Sequence, residues 1–161
     1  MSKHHRNRNW APAPQPLPED AHVIDNHTHV ASVVPFSQAM SHEAMEKGQG
    51  EVPVYSVDEL LEQAQKVGVE GVIDCGCELP NLMTAIDMAR EHPGTVHAAI
   101  AIHPNEAVLH GHRGAPGPDG LPIKYKPWHD IPFDEAMAEV HRLATTYPNQ
   151  VVAIGETGMD L

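Results

Sequence analysis

The sequence predicts an α/β fold in which helices cover a parallel sheet, and three observations carry that expectation. Short β-rich runs alternate with amphipathic helical stretches, the pattern of repeated β-α-β units. The runs are almost continuously apolar, as strands buried on both faces are. Each run also ends in chemically capable residues, HTH, CGC, IHP and GET in turn. In parallel α/β folds the active site is built at the carboxyl ends of the strands.

The first strand is read in VIDNHTHV, from Val23 to Val30. Residues two apart in a strand share a face, so His27 and His29 should lie side by side. A helix follows from Ser56, which forms a capping box with Glu59, carries Val57, Leu60, Leu61, Ala64 and Val67 on one face, and stops at Gly68. VEGVIDCGC is the second strand, bounded by turn chemistry. After Pro80 a second helix shows Leu82, Ala85, Ile86 and Ala89, ending at the HPG that closes with Gly94. TVHAAIAIHP is the third strand, and the Gly/Pro-rich stretch from His110 to about Pro132 is a long loop or inserted excursion. A third helix places Phe133, Ala136, Met137, Val140, Leu143 and Ala144 on one face, and QVVAIGETG is the fourth strand.

Length and composition bound the rest. The 161 residues suit a single domain with a real core, and 41% hydrophobic residues argue for a globular chain. No apolar run approaches the roughly 18 residues a membrane span needs, so a soluble protein is expected. Residues 1–20 read as a basic, Pro-rich disordered arm, and 21–161 as the folded unit. The arm has no apolar stretch of the secretory kind. Only Cys75 and Cys77 are present, too few and too close for a disulfide framework, so a reducing cytoplasm is the expected setting. The net charge of −12 is not the footprint of a protein that grips nucleic acid by charge alone. Thirteen histidines are unusual, but most fall in predicted loops and read as solvated.

Four motifs carry chemistry. The His27/His29 pair offers two nitrogen ligands to one ion, or else two hydrogen-bonded polar residues; spacing alone leaves both open. Asp25 reads either as a carboxylate orienting one of these ligands or as a turn residue. Glu156, flanked by Gly155 and Thr157-Gly158, could bridge two cations where the strand emerges, although by itself it reads as a loop glutamate facing solvent. His103 stands at a strand end before Pro104, as a substrate-phosphate contact, an outer-shell donor or a structural histidine. Cys75 and Cys77 could bind a soft metal, but two small residues in the sheet wall is the plainer reading.

With these residues in place, the chain resembles the N-terminal half of the TatD family of metal-dependent hydrolases, over about Ala21 to Leu161. VIDNHTHV is similar to that family's D-x-H-x-H opening strand, AIHP to its third-strand motif, and VVAIGETGMDL to its fourth-strand G-E-x-G segment. The resemblance implies a TIM-like (β/α)8 barrel of the amidohydrolase type with two divalent metal ions, Mg2+, Mn2+ or Zn2+. It implies hydrolysis of phosphodiester bonds in DNA, as a deoxyribonuclease of 3'-5' exonuclease type using a metal-activated water. His27 and His29 would hold one metal, Glu156 would bridge the pair, and His103 would meet substrate.

A full barrel takes about 250 residues, so the chain is expected to span only the first four β/α strands. The family's two further histidine ligands and its aspartate that acts on the water would then lie beyond Leu161. Alone, such a half-barrel is expected to bind metal weakly, to show little nuclease activity, and to depend on pairing with another half. Two other readings stand beside this one. A phosphotriesterase or cyclic-amidase relative shares the HxH strand but uses a modified lysine where Glu156 stands. A non-catalytic, histidine-rich metal-binding or interaction module would take up metal without turnover.

Overall fold

The computed structural model describes residues 16–18, 20–48, 53–114 and 124–158. Most of the arm, the middle of the excursion and the last three residues of the chain lie outside them. Four strands form one sheet in the order β1-β2-β3-β4. They are β1 (Val23–Thr28), β2 (Val69–Gly76), β3 (Val96–Ile100) and β4 (Val151–Ile154), and every neighbouring pair is parallel. The helices are α1 (Val30–Glu46), α2 (Val57–Lys66), α3 (Leu79–Glu91), the short α4 (Pro104–Ala107) and α5 (Phe133–Thr146). The expected alternation of strands and helices is the one observed.

Local signals explain most boundaries. Ser56 accepts the Glu59 N–H while the Glu59 carboxylate accepts the Ser56 N–H, so both ends of the capping box close at the start of α2. At its other end Gly68 takes φ +98°, a left-handed turn that only glycine enters without strain, and its N–H bonds the Gln65 carbonyl. The helix α3 buries Leu82, Ala85, Ile86 and Ala89, the apolar face its periodicity predicts.

These side chains pack on one face of the sheet, against Val72 of β2 and Val96, Ala98 and Ile100 of β3, together with Ala136, Val140 and Leu143 of α5. Leu82, Ile86 and Ile100 are fully buried, each stabilising by about 1.5–3 kcal/mol relative to exposure. Among the described residues, the opposite face has no such cover. Ile73, Cys75 and His97 are half-buried there, and Ile24 is 58% exposed.

Two parts of the chain depart from expectation. The whole of α1 was not legible, because Val30, Val33 and Val34 are poor helix formers and Pro35 lacks the N–H that would bond the Ala31 carbonyl. Its N-terminus abuts β2, where the buried Asp74 carboxylate faces the N–H groups of Val30 and Ala31. The described part of the excursion is also more ordered than a loop, with a 3-10 turn over Pro127–Asp130, and just ahead of it His103 caps α4.

Two histidines of that excursion correct the expectation of solvated loop residues, while His112 is exposed as expected. His110 and His129 are 1% and 0% exposed. His129 pairs with Glu106 at 2.6 Å through Nε2, and His110 Nδ1 lies 2.8 Å from the Ile131 carbonyl, so the two rings meet edge to face at 5.6 Å. Their burial follows from local partners that spacing in the sequence does not reveal.

Candidate metal centre

The end of β1 is irregular. Its pairing with β2 slips between Asp25 and Thr28, a bulge that re-aims side chains. Asp25 supports this bulge by accepting the His27 backbone N–H at 3.1 Å, so it shapes the main chain rather than contacting a ligand atom. His29 lies just past the strand, at the N-cap of α1. The two rings therefore converge through a bulge and a helix start, not through regular strand alternation, and stand edge to face at 5.2 Å.

Polar contacts flank both imidazoles. His29 Nδ1 is 3.2 Å from the Cys75 carbonyl. A carbonyl only accepts, so Nδ1 carries the proton and Nε2 keeps its lone pair free. His27 Nε2 lies 3.0 Å from Glu156 Oε1. Ligand atoms of His27, His29 and Glu156 all lie within 4.8 Å of one another.

Glu156 presents its two oxygens to different neighbours. While Oε1 faces His27, Oε2 accepts the Cys77 thiol at 3.1 Å and lies 3.7 Å from His103 Nε2. His103 Nδ1 accepts the Asn105 N–H at 3.1 Å, which puts the proton of the neutral ring on Nε2, directed at Glu156. His103 is therefore placed as a donor and not as a metal ligand.

Two further residues join the site, one that the sequence read chiefly as sheet wall and one that it gave no role. Cys77 is half-buried and in contact with Glu156, where a place in the sheet wall was expected; its position at a strand end beside IHP and GET was the available signal. Burial, and then its hydrogen bond to Glu156, push the Cys77 thiol up to about 12. Asp74 is the other. It is 1% exposed, and burial raises its carboxyl above the usual range, with the N–H groups of Val30 and Ala31 acting in the opposite sense. A cavity of about 360 Å3 opens beside the cluster, lined by His29, Ser32, Asp74, Cys77, Asn81 and Thr84 among others.

The donor set fits a divalent cation: two imidazole nitrogens and a carboxylate, with one imidazole already held in the tautomer that ligates. Fold and cluster together define an α/β protein with a candidate cation site at the carboxyl ends of its parallel strands. The family model described as TatD related DNase matches residues 24–161, and the chain belongs to that family, whose members are TIM-barrel, metal-dependent hydrolases. A search of curated proteins returned no match.

Proposed function

We propose that this chain provides one half of a two-metal centre that hydrolyses phosphodiester bonds in DNA, acting on 3' ends. The convergence of His27, His29 and Glu156 within 4.8 Å carries the reading. When bound, divalent cations would supply Lewis-acid polarisation of a phosphoryl oxygen and a more acidic water. His27 and His29 would hold one cation and Glu156 would reach both. His103, with its Nε2 proton directed into the site, would donate to a phosphate oxygen of the substrate. Cations at these residues would also let an acidic protein meet a polyanion without a basic surface.

In this reading the remaining ligands and the aspartate that acts on the water come from further strands, which would pair with the open edges of β1 and β4 and cover the exposed face carrying Ile24. Those strands would follow in the same polypeptide or come from a second half-barrel. Two free thiols suit a reducing cytoplasm.

The test uses the chain alone and joined to the later strands of a TatD barrel. DNA labelled at the 3' or the 5' end is incubated with Mg2+, Mn2+ or Zn2+. The joined protein should shorten DNA from the 3' end, the chain alone should be weak, and His29→Ala or Glu156→Gln should abolish both metal uptake and digestion. Digestion indifferent to these substitutions, or turnover of phosphotriesters or cyclic amides in place of DNA, would refute the reading.

A further inference from the structure

The contacts of Glu156 raise a question about Cys77. Glu156 Oε2 accepts the Cys77 thiol at 3.1 Å, and Oε1 lies 3.0 Å from His27 Nε2. A cation that ligates His27 would sit between that ring and Oε1. The Cys77 hydrogen bond marks a second position at the other oxygen, where the nearest donor is sulfur. His103 cannot compete for it without giving up the Asn105 N–H on its far nitrogen.

We propose that Cys77 is a thiolate ligand to a cation held at Glu156 Oε2, and that it biases the centre toward thiophilic ions of the Zn2+ type over Mg2+. The inference rests on the metal-binding reading of His27, His29 and Glu156. Tetrahedral zinc with sulfur and oxygen ligands sets those two atoms about 3.6 Å apart. The present Sγ to Oε2 separation is 3.1 Å, so the pair opens by only a few tenths of an ångström. On binding, the Sγ–H bond breaks, an Sγ–metal bond forms, and the proton leaves to solvent, with no change of oxidation state. The cavity beside the cluster is lined by both Cys77 and His29, which gives an ion a route of entry. Hard Mg2+ gains little from sulfur, whereas Zn2+ and Co2+ bind thiolate well. Cys75 is the internal control: it lies on β2 two residues before Cys77, and the hydrogen bond to Glu156 is made by Cys77.

The experiment is a Co2+ titration of the chain, read by near-ultraviolet thiolate-to-metal charge transfer and by the visible bands that any Co2+ site shows, with calorimetry for Zn2+ and Mg2+. A charge-transfer band that persists in Cys75→Ala but is lost in Cys77→Ala and Cys77→Ser supports the proposal, as does at least a tenfold loss of Zn2+ affinity with Mg2+ affinity unchanged. The serine variant serves if the alanine variant does not fold. Visible bands without a thiolate band would overturn the role of Cys77 while leaving the histidine site standing. A band lost with Cys75 in place of Cys77 would overturn it equally. No Co2+ binding at all would overturn both this inference and the metal reading beneath it.

Discussion

Replacing Gly76 with alanine tests how tightly the centre is tied to the fold. Gly76 ends β2 between Cys75, whose carbonyl orients His29, and Cys77, whose thiol meets Glu156. A Cβ at this position would lie 2.7 Å from the Asn81 carbonyl oxygen and 3.0 Å from Leu82 Cα. Ordinary contact begins near 3.4 Å, and both neighbours are backbone of α3, so they cannot rotate away. Overpacking of this kind costs about 1–3 kcal/mol. The loss of unfolded-chain freedom on replacing glycine offsets about 0.4–1 kcal/mol. The steric effect wins, leaving a net loss of about 1–2 kcal/mol. With a urea slope of about 2 kcal/mol per molar, the midpoint should fall by roughly 0.5–1 M. Since the strand end must move away from α3, Zn2+ affinity by calorimetry should drop at least tenfold as well. An unchanged midpoint together with unchanged affinity would show that α3 gives way freely, and that Gly76 does not position the centre.

Further outcomes are expected. His29→Ala should remove metal uptake in equilibrium dialysis while His22→Ala, on the exposed side chain paired with Glu70, should leave it unchanged; equal losses would favour scattered binding by surface histidines. Ser56→Ala should destabilise the chain by about 1 kcal/mol in urea, the usual worth of such a cap. The Ser56 N–H holds the Glu59 carboxyl below its usual range, so its stabilisation is present above the unfolded value of 4.5 and is lost as pH falls through the lower folded value. The stability gap between wild type and Glu59→Gln should accordingly close in acid, and a gap constant from pH 7 to pH 3 would contradict this. With its thiol pushed up to about 12, metal-free Cys77 should be nearly inert to iodoacetamide at pH 8 in a Cys75→Ala background. Its alkylation rate should rise about tenfold per pH unit, and Glu156→Gln should speed it by removing one of the groups that hold the proton.

Strands and three of the helices were legible because their signals are local: capping chemistry at Ser56, a left-handed glycine at Gly68, and apolar spacing from Leu82 to Ala89. The candidate ligands were legible for a different reason, since strand ends of a parallel sheet gather residues from distant parts of the chain at one edge. What stayed hidden depends on partners far away in sequence. Asp74 reads as an ordinary polar residue inside an apolar run, and only the approach of α1 buries its carboxylate beside the N–H groups of Val30 and Ala31. The same holds for Cys77, which gains its meaning from Glu156, and for His129, which gains its burial from Glu106. Even the His27/His29 pair was expected for a partly mistaken reason, because a bulge and a helix start, not strand alternation, bring the rings together.

The second strand's hold on the first has a thermodynamic consequence. The buried Asp74 carboxylate lies beside the start of α1 and the Cys75 carbonyl orients the ring of His29, so β2 supplies the orientation of a ligand that follows β1. A peptide carrying VIDNHTHV alone would have the donors without their aim. Ion affinity is thereby linked to the docking of β1 on β2: a cation that binds only the docked form stabilises that docking by RT ln(1 + [L]/Kd), about 2.7 kcal/mol at a hundredfold excess over Kd. At the open edge of the sheet, the ion would act as a clasp on the strand that brings it.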